Sequence, residues 1–252
     1  MQGLTTYREM AAHTLLDTFL SKLRMRDDVS DAEARALLAC ASDEAEYPAG
    51  ADLVREGNRP HVSMLLLDGF TTRYRDSPDG SRQITAIHVP GDFVDLHSLL
   101  IKEMDHSVGA LSRCRVLHFP HPRLVALTEA HPHLARLLWL MTLIDSSIHR
   151  EWLVAASRPA PEQVAHLVCE LFTRLNVTGI VREHKFHLPV TQTELGEALG
   201  LSAVHVNRTL QQLRAEGLFT WQAQEIHILD WNGLRRRASF DDRYLHLVKE
   251  PR

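Results

Sequence analysis

A chain of 252 residues, 44% hydrophobic and 24% charged, has an ordinary globular composition and room for one large domain or two modest ones. Its formal net charge of −4 excludes a non-specific coat for anionic surfaces. Residues 159–252 carry equal numbers of acidic and basic side chains, so any contact with nucleic acid has to come from local placement of cations, not from a bulk field.

Taken from its start, the segment MQGLTTYREMAAH lacks a secretory apolar core, and no uninterrupted apolar run reaches membrane-spanning length. A cytoplasmic protein without membrane association is expected. Cys40, Cys114 and Cys169 stand far apart, with no spacing for a disulfide framework or a cysteine-rich metal site. Three thiols also cannot supply an all-cysteine iron–sulfur cluster within one chain, so inert thiols in a reducing compartment are expected.

Residues 1–43 read as polar-amphipathic helix. Leu15, Leu16, Phe19, Leu20 and Leu23 form an apolar stripe, and Asp31 is expected to cap a second helix carrying Ala34, Leu37 and Leu38. These predict a lid packed on the adjoining β-rich domain. From Tyr47 to about Phe119 the texture changes to short β-type runs, Val62–Leu67, Thr71–Arg75, Gln83–Val89 and Arg113–Phe119. Pro48-Ala49-Gly50, Asp68-Gly69, Pro78-Asp79-Gly80 and Pro90-Gly91-Asp92 punctuate them, the pattern of a sandwich, barrel or jelly roll.

Pro122 to His131 predicts a short helix, and Pro132 opens a long one reaching about Ser157. Leu134, Met141, Ile148 and Ala155 recur every seven residues, with Leu137 and Ile144 between them. That spacing is a coiled-coil seam, although an amphipathic core helix has the same look. Pro159 and Pro161 then bar a continuous helix and mark a hinge. A helix from Glu162 to about Asn176 buries Val164, Leu167, Val168, Leu171 and Leu175.

The most informative stretch is TQTELGEALGLSAVHVNRTLQQLRAEG, Thr191 to Gly217. Thr191 with Glu194 three residues on makes a capping box, Leu195 and Leu199 share a face, and Gly200 stops the first helix. Ser202 caps a second, with Val206, Leu210 and Leu213 turned inward. Ala203, Val204, His205, Asn207 and Arg208 are then left near an exposed helix N-terminus. Seated in a major groove, such an end meets base edges: Arg208 suits guanine, Asn207 and His205 suit bases or phosphates, and Val204 suits a thymine methyl. An ordinary helical hairpin with a solvated face is the competing reading. Leu218–Trp221 and Ile226–Leu229 around Gln222–Glu225 predict a β-hairpin, which turns the helix pair into a winged helix. Asn232–Ala238 reads as helix with Arg235, Arg236 and Arg237 adjacent, more in keeping with a solvated charge run than with a phosphate clamp.

LPVTQTELGEALGLSAVHVNRTLQQLRAEGLF resembles the DNA-binding domain of the Crp/Fnr regulators. YPAGADLVREGNRPHVSMLLLDG and VPGDFVDLHSLL resemble their cyclic-nucleotide-binding-type β-roll. The resemblance covers most of the chain and implies an α+β fold. A helical lid and antiparallel, jelly-roll-like β-roll sensor (1–130) come first, then a long dimerisation helix (131–157), then a C-terminal winged helix-turn-helix with a tail (158–252). It implies a homodimer along Leu134, Leu137, Met141, Ile144 and Ile148. Thr191 and Gln192 are placed at phosphates, Ser202 as anchor of the second helix and Arg208 at a base. The family often carries a glutamate where this chain has Val204, so its outer half-site preference is not carried over. The implied partners are double-stranded DNA with a two-fold-symmetric site, a second copy of the chain, RNA polymerase, and a small-molecule effector not named by the sequence.

The family's cyclic-nucleotide pocket needs a Gly-Glu-Leu turn and an Arg-Ser/Thr-Ala stretch. Here Asp95-Leu96 stands where Gly-Glu is expected, and His106-Ser107 near the arginine. A neutral imidazole cannot replace a guanidinium fork on a phosphate, so cyclic AMP is not the expected effector. The close histidine pairs, His118 with His121, His131 with His133 and His184 with His187, lack the partners that specify a zinc site. No cofactor or metal is expected. Catalytic signatures such as G-x-S-x-G, a P-loop or H-E-x-x-H do not occur, so a regulator and not an enzyme is expected. The rival from another class is a small-molecule or protein-interaction module whose winged helix no longer binds DNA.

Overall fold

A computed structural model describes residues 16–251, so the N-terminal segment and Leu15 lie outside the described residues. The fold is α+β: a β-rich N-terminal part, a long helix, and a C-terminal helix-turn-helix with a small sheet. The described chain divides into two compact units. One comprises residues 16–71, 88–143 and 247–251, the other Thr72–Ile87 and Ile144–His246.

The first unit opens with helices α1 (residues 16–24) and α2 (Asp31–Cys40). Ser30, not Asp31, is the N-cap of α2. Its hydroxyl accepts from Glu33 N while the Glu33 carboxylate accepts from Ser30 N, which satisfies two otherwise orphaned donors. The strands that precede the long helix are β1 (Glu44–Tyr47), β2 (Asp52–Val54), β3 (Val62–Asp68), β4 (Thr71–Asp76), β5 (Arg82–His88), β6 (Ser107–Ala110) and β7 (Cys114–Pro120). Antiparallel β1, β7 and β3 form one sheet in that order, and β2 pairs with β6. β1, β2 and β6 have no counterpart among the strands expected from sequence. They are three or four residues long, and β1 carries two glutamates among its four residues, too short and polar to show an apolar alternation. Leu16, Phe19, Leu20 and Leu23 share a core with Leu37, Leu65, Phe119 and Leu124.

Helices α3 (His121–Ala130) and α4 (Pro132–Ala155) come next. The expected seam of α4 faces inward. Leu134 and Leu137 are fully buried in the first unit's core, Ile144 and Ile148 are buried in the second unit, and Met141 packs partly buried against the first core. The seven-residue repeat therefore packs within its own chain, fully at Leu134 and Leu137 and only in part at Met141. Exposed instead are Trp139 at 65%, Leu143 at 48%, Leu153 at 76% and Val154 at 53%.

In the second unit β4 and β5 form a hairpin that reaches α4, where buried Arg73 donates from Nη1 to Asp145 Oδ2 at 2.9 Å. The chain turns at Ser157–Pro159 into α5 (Ala160–Val177). Fully buried Glu170 of α5 accepts from Trp152 Nε1 of α4 at 3.0 Å, from the Tyr244 hydroxyl at 2.9 Å and from Arg174 Nη1 at 3.0 Å. Burial pushes its carboxyl above the usual range, and the three donors are what make the site tenable. Then come β8 (Lys185–His187), α6 (Gln192–Leu199), α7 (Ala203–Ala215), β9 (Phe219–Gln222), β10 (Glu225–Ile228) and α8 (Trp231–Ala238). The wing is a three-stranded sheet in the order β8-β10-β9. β8 is silent in the sequence because Phe186 is its one buried side chain.

Candidate nucleic-acid interface

Local chemistry places α6 and α7. The Thr191 hydroxyl accepts from Glu194 N at 3.2 Å, and the Glu194 carboxylate accepts from Thr191 N at 2.7 Å, so α6 starts on its capping box. Gly200 ends it at φ 66°, a left-handed conformation that glycine adopts without cost. The turn is tight enough to need a second glycine. A Cβ on Gly196 would lie 2.4 Å from the Leu201 carbonyl oxygen, and the Gly196 carbonyl accepts from Leu201 N at 3.0 Å. Ser202 caps α7, its hydroxyl accepting from His205 N at 3.3 Å.

With Leu195, Val206, Leu210 and Leu213 buried, the outer surface is set. Thr191, Gln192, Ser202, Ala203, Val204, His205, Asn207 and Arg208 are all exposed, Val204 at 75%. Asn207 Nδ2 donates to Gln192 Oε1 at 3.2 Å, joining α7 to the start of α6. Gln211 Nε2 donates to Asn207 Oδ1 at 2.9 Å. Gln211 is thus one turn along the same exposed face, a position absent from the residues expected from sequence although its spacing of four from Asn207 signals it. Arg208 makes no ion pair or hydrogen bond among the described residues, leaving its planar fork free.

The three adjacent arginines of α8 are mostly engaged. Arg237 Nε donates to Glu216 Oε2 at 3.1 Å and Nη1 lies 3.5 Å from Glu162 Oε1. Arg235 sits over the Trp231 ring, 5.8 Å from its centroid, and 4.0 Å from Asp242.

The residues assigned to an effector turn lie in the first unit, and each is occupied by its own chain. Buried Asp95 accepts from Met64 N at 2.6 Å, and buried Leu96 joins the apolar core. His106 Nδ1 is 2.6 Å from Asp105 Oδ1, and its ring lies 4.9 Å from that of His97. Ser107 Oγ accepts from Glu56 N at 3.0 Å. Cys40, Cys114 and Cys169 are free and buried, and desolvation pushes all three thiols up, Cys40 and Cys114 to about 11. Such thiols hold little thiolate and react slowly. Among the described residues no group of three or more histidine, cysteine or acidic side chains is placed to hold a metal ion, and no helix is long and apolar enough to cross a membrane.

A capped helix pair, a three-stranded wing and an exposed recognition face define a winged helix-turn-helix DNA-binding protein. Residues 162–237 match the Crp-like helix-turn-helix domain and residues 44–131 the cyclic nucleotide-binding domain. The chain is 28% identical over 184 residues to the transcriptional activator protein anr of Pseudomonas aeruginosa, covering 72% of this chain and 74% of that one. It is 28% identical over 218 residues to the nitrogen fixation regulation protein FixK of Azorhizobium caulinodans, covering 85% and 87%. The FixK2 structure from Bradyrhizobium japonicum shares the fold, with a TM-score of 0.71 over 80% of this chain and 98% of that one at 24% identity. The chain belongs to the Crp/Fnr family of DNA-binding transcription regulators, whose members regulate and do not catalyse.

Proposed function

We propose that the protein acts as a homodimer that reads a two-fold-symmetric DNA site through α7, with RNA polymerase as the downstream partner. The observation that carries the reading is the free, exposed guanidinium of Arg208 beside Val204, His205 and Asn207, on a helix locked by Ser202, Gly196 and the Asn207–Gln192 bond. Thr191 and Gln192 at the α6 N-terminus serve phosphates, which position the module, while Arg208 reads a base. Half-sites lie about one helical turn apart, as two-fold dimers require.

The dimer contact lies on the exposed stripe of α4, not on the Leu134–Ile148 seam. Trp139, Leu143, Ser146, Arg150 and Leu153 recur at spacings of four and three, the rhythm of a helix–helix contact. The functional divisions are a sensor over 1–130, the dimerisation helix over 131–157 and the DNA-binding domain over 158–252. The β-roll answers to an effector other than cyclic AMP or to none. Asp95, His106 and Ser107 are engaged within the chain, and His106 stands near where the family carries its arginine.

The test is a salt series of binding to a duplex selected from a random pool and to an unselected one. Arg208→Ala loses roughly 1–3 kcal/mol on the selected duplex and much less on the unselected one, because phosphates supply most non-specific affinity. Equal losses on both would make Arg208 a phosphate clamp. No binding to any duplex would leave the rival reading, a module that has lost DNA.

A further inference from the structure

Away from both the recognition helix and the turn at Asp95, the first unit carries a half-open cavity of about 590 Å³. That volume lies inside the range of about 300–1,000 Å³ typical of small-molecule sites. Its walls are apolar, from Pro60 on the β2–β3 connection, Leu99 after β5 and Val125 of α3. Val125 is exposed, as are Leu100 and Ile101, which come directly after Leu99 in the chain.

The permanently charged groups of the lining, Arg59 and Lys102, are of one sign. The imidazoles of His61 and His121 line it as well, and no carboxylate does. The Lys102 ammonium caps the Leu99 carbonyl and makes no ion pair among the described residues. Arg59 donates from Nε at 3.1 Å and from Nη2 at 2.8 Å to Glu103, a pair in which both side chains are largely exposed. Exposed pairs of this kind contribute little and exchange readily for another anion. Beneath them the His121 ring is fixed, its Nε2 lying 3.2 Å from both Ser63 Oγ and Ser98 Oγ.

We propose that this cavity binds a small amphipathic anion, a carboxylate carried on an aliphatic or aromatic body. The body lies against Pro60, Leu99 and Val125, and the carboxylate takes Lys102 and displaces Glu103 from Arg59. A cationic amphiphile of the same shape meets like charges at the rim and is rejected. The inference does not rest on DNA binding, since none of the cavity residues belongs to the winged helix. His121 offers an independent reporter. Burial, and then the charges of Lys102 and His61, hold its imidazole below the usual range. A carboxylate placed among Lys102, His61 and Arg59 offsets those charges and moves it up.

The experiment titrates the full-length protein with decanoate and with decyltrimethylammonium, by calorimetry and by NMR of the histidine rings. Decanoate is expected to bind in the micromolar range, to raise the His121 titration midpoint, and to bind more tightly than decyltrimethylammonium by roughly tenfold or more. Lys102→Glu and Val125→Asp, both at exposed positions, are each expected to weaken decanoate by a similar factor with thermal unfolding unchanged. Equal affinity for the two amphiphiles would mean plain apolar adsorption and overturn the proposal. So would the absence of decanoate binding, or binding that neither variant weakens.

Discussion

If the protein dimerises along the exposed stripe of α4 as proposed, folding and association fall to different faces of that helix, and one pair of substitutions tests this. Leu137 is 0% exposed inside the first unit's core. Leu137→Ala opens a cavity there and costs folding roughly 2–5 kcal/mol. Leu153 is 76% exposed, so Leu153→Ala removes little from the folded chain. Full burial of a leucine is worth roughly 1.5–3 kcal/mol. About three quarters of that remains to be gained at Leu153, or roughly 1–2 kcal/mol for each copy. A two-fold contact contains the residue twice, so Leu153→Ala is expected to cost the dimer roughly 2–4 kcal/mol, about 30- to 1,000-fold in Kd. Sedimentation equilibrium across a concentration series gives the dimer Kd, and urea unfolding gives stability. If Leu153→Ala leaves the Kd unchanged, while Leu137→Ala dissociates the dimer without lowering stability, the exposed stripe is not the interface and the inward seam is.

Gly196→Ala forces a Cβ to within 2.4 Å of the Leu201 carbonyl oxygen. A cost of roughly 1–3 kcal/mol is expected for such overpacking, with loss of DNA binding ahead of global unfolding; a fully stable, fully active variant would refute the tight-turn argument. His166 is 2% exposed, and burial first and the Arg158 charge second lower it to about 4. Glu151 Oε1 lies 3.3 Å from Nε2, yet the ring nitrogen has no hydrogen-bond partner, so burial wins. The unfolded chain therefore takes the proton first. His166 stability is fully present above its ordinary 6.5 and is lost as pH falls towards 4, about 2 kcal/mol between about pH 7 and pH 5. His166→Gln is expected to flatten the urea midpoint over that interval, and identical slopes for the two proteins would exclude His166 as the cause. Cyclic AMP at high micromolar concentration is expected to leave DNA affinity unchanged, because a ligand shifts only an equilibrium between states it binds differently; a gain in affinity, or micromolar binding by calorimetry, would sink the reading of the Asp95–His106 turn.

Local chemistry made the recognition face legible from residues alone. The Thr191–Glu194 capping box, the Gly200 stop and the Ser202 cap each depend on side chains within a few positions of one another. The inward set Val206, Leu210 and Leu213 fixes the outward set by helical geometry. The long strands β3, β5 and β7 were visible for a similar reason, since each carries a run of buried apolar side chains bounded by turn residues. β1, β2, β6 and β8 escaped, being held by pairing with strands distant in sequence and not by their own composition. Tertiary structure alone decided which face of α4 is free. A heptad of leucines and isoleucines looks the same whether it meets its own core or a second chain. Only the clustering of Leu134 and Leu137 with residues of α1, α2 and β7 shows that the start of the seam is filled from within. The same holds for Asp95. The sequence shows a carboxylate in a turn where the family has glycine, but its engagement by the Met64 amide depends on a strand 31 residues earlier, and no local pattern encodes that distance.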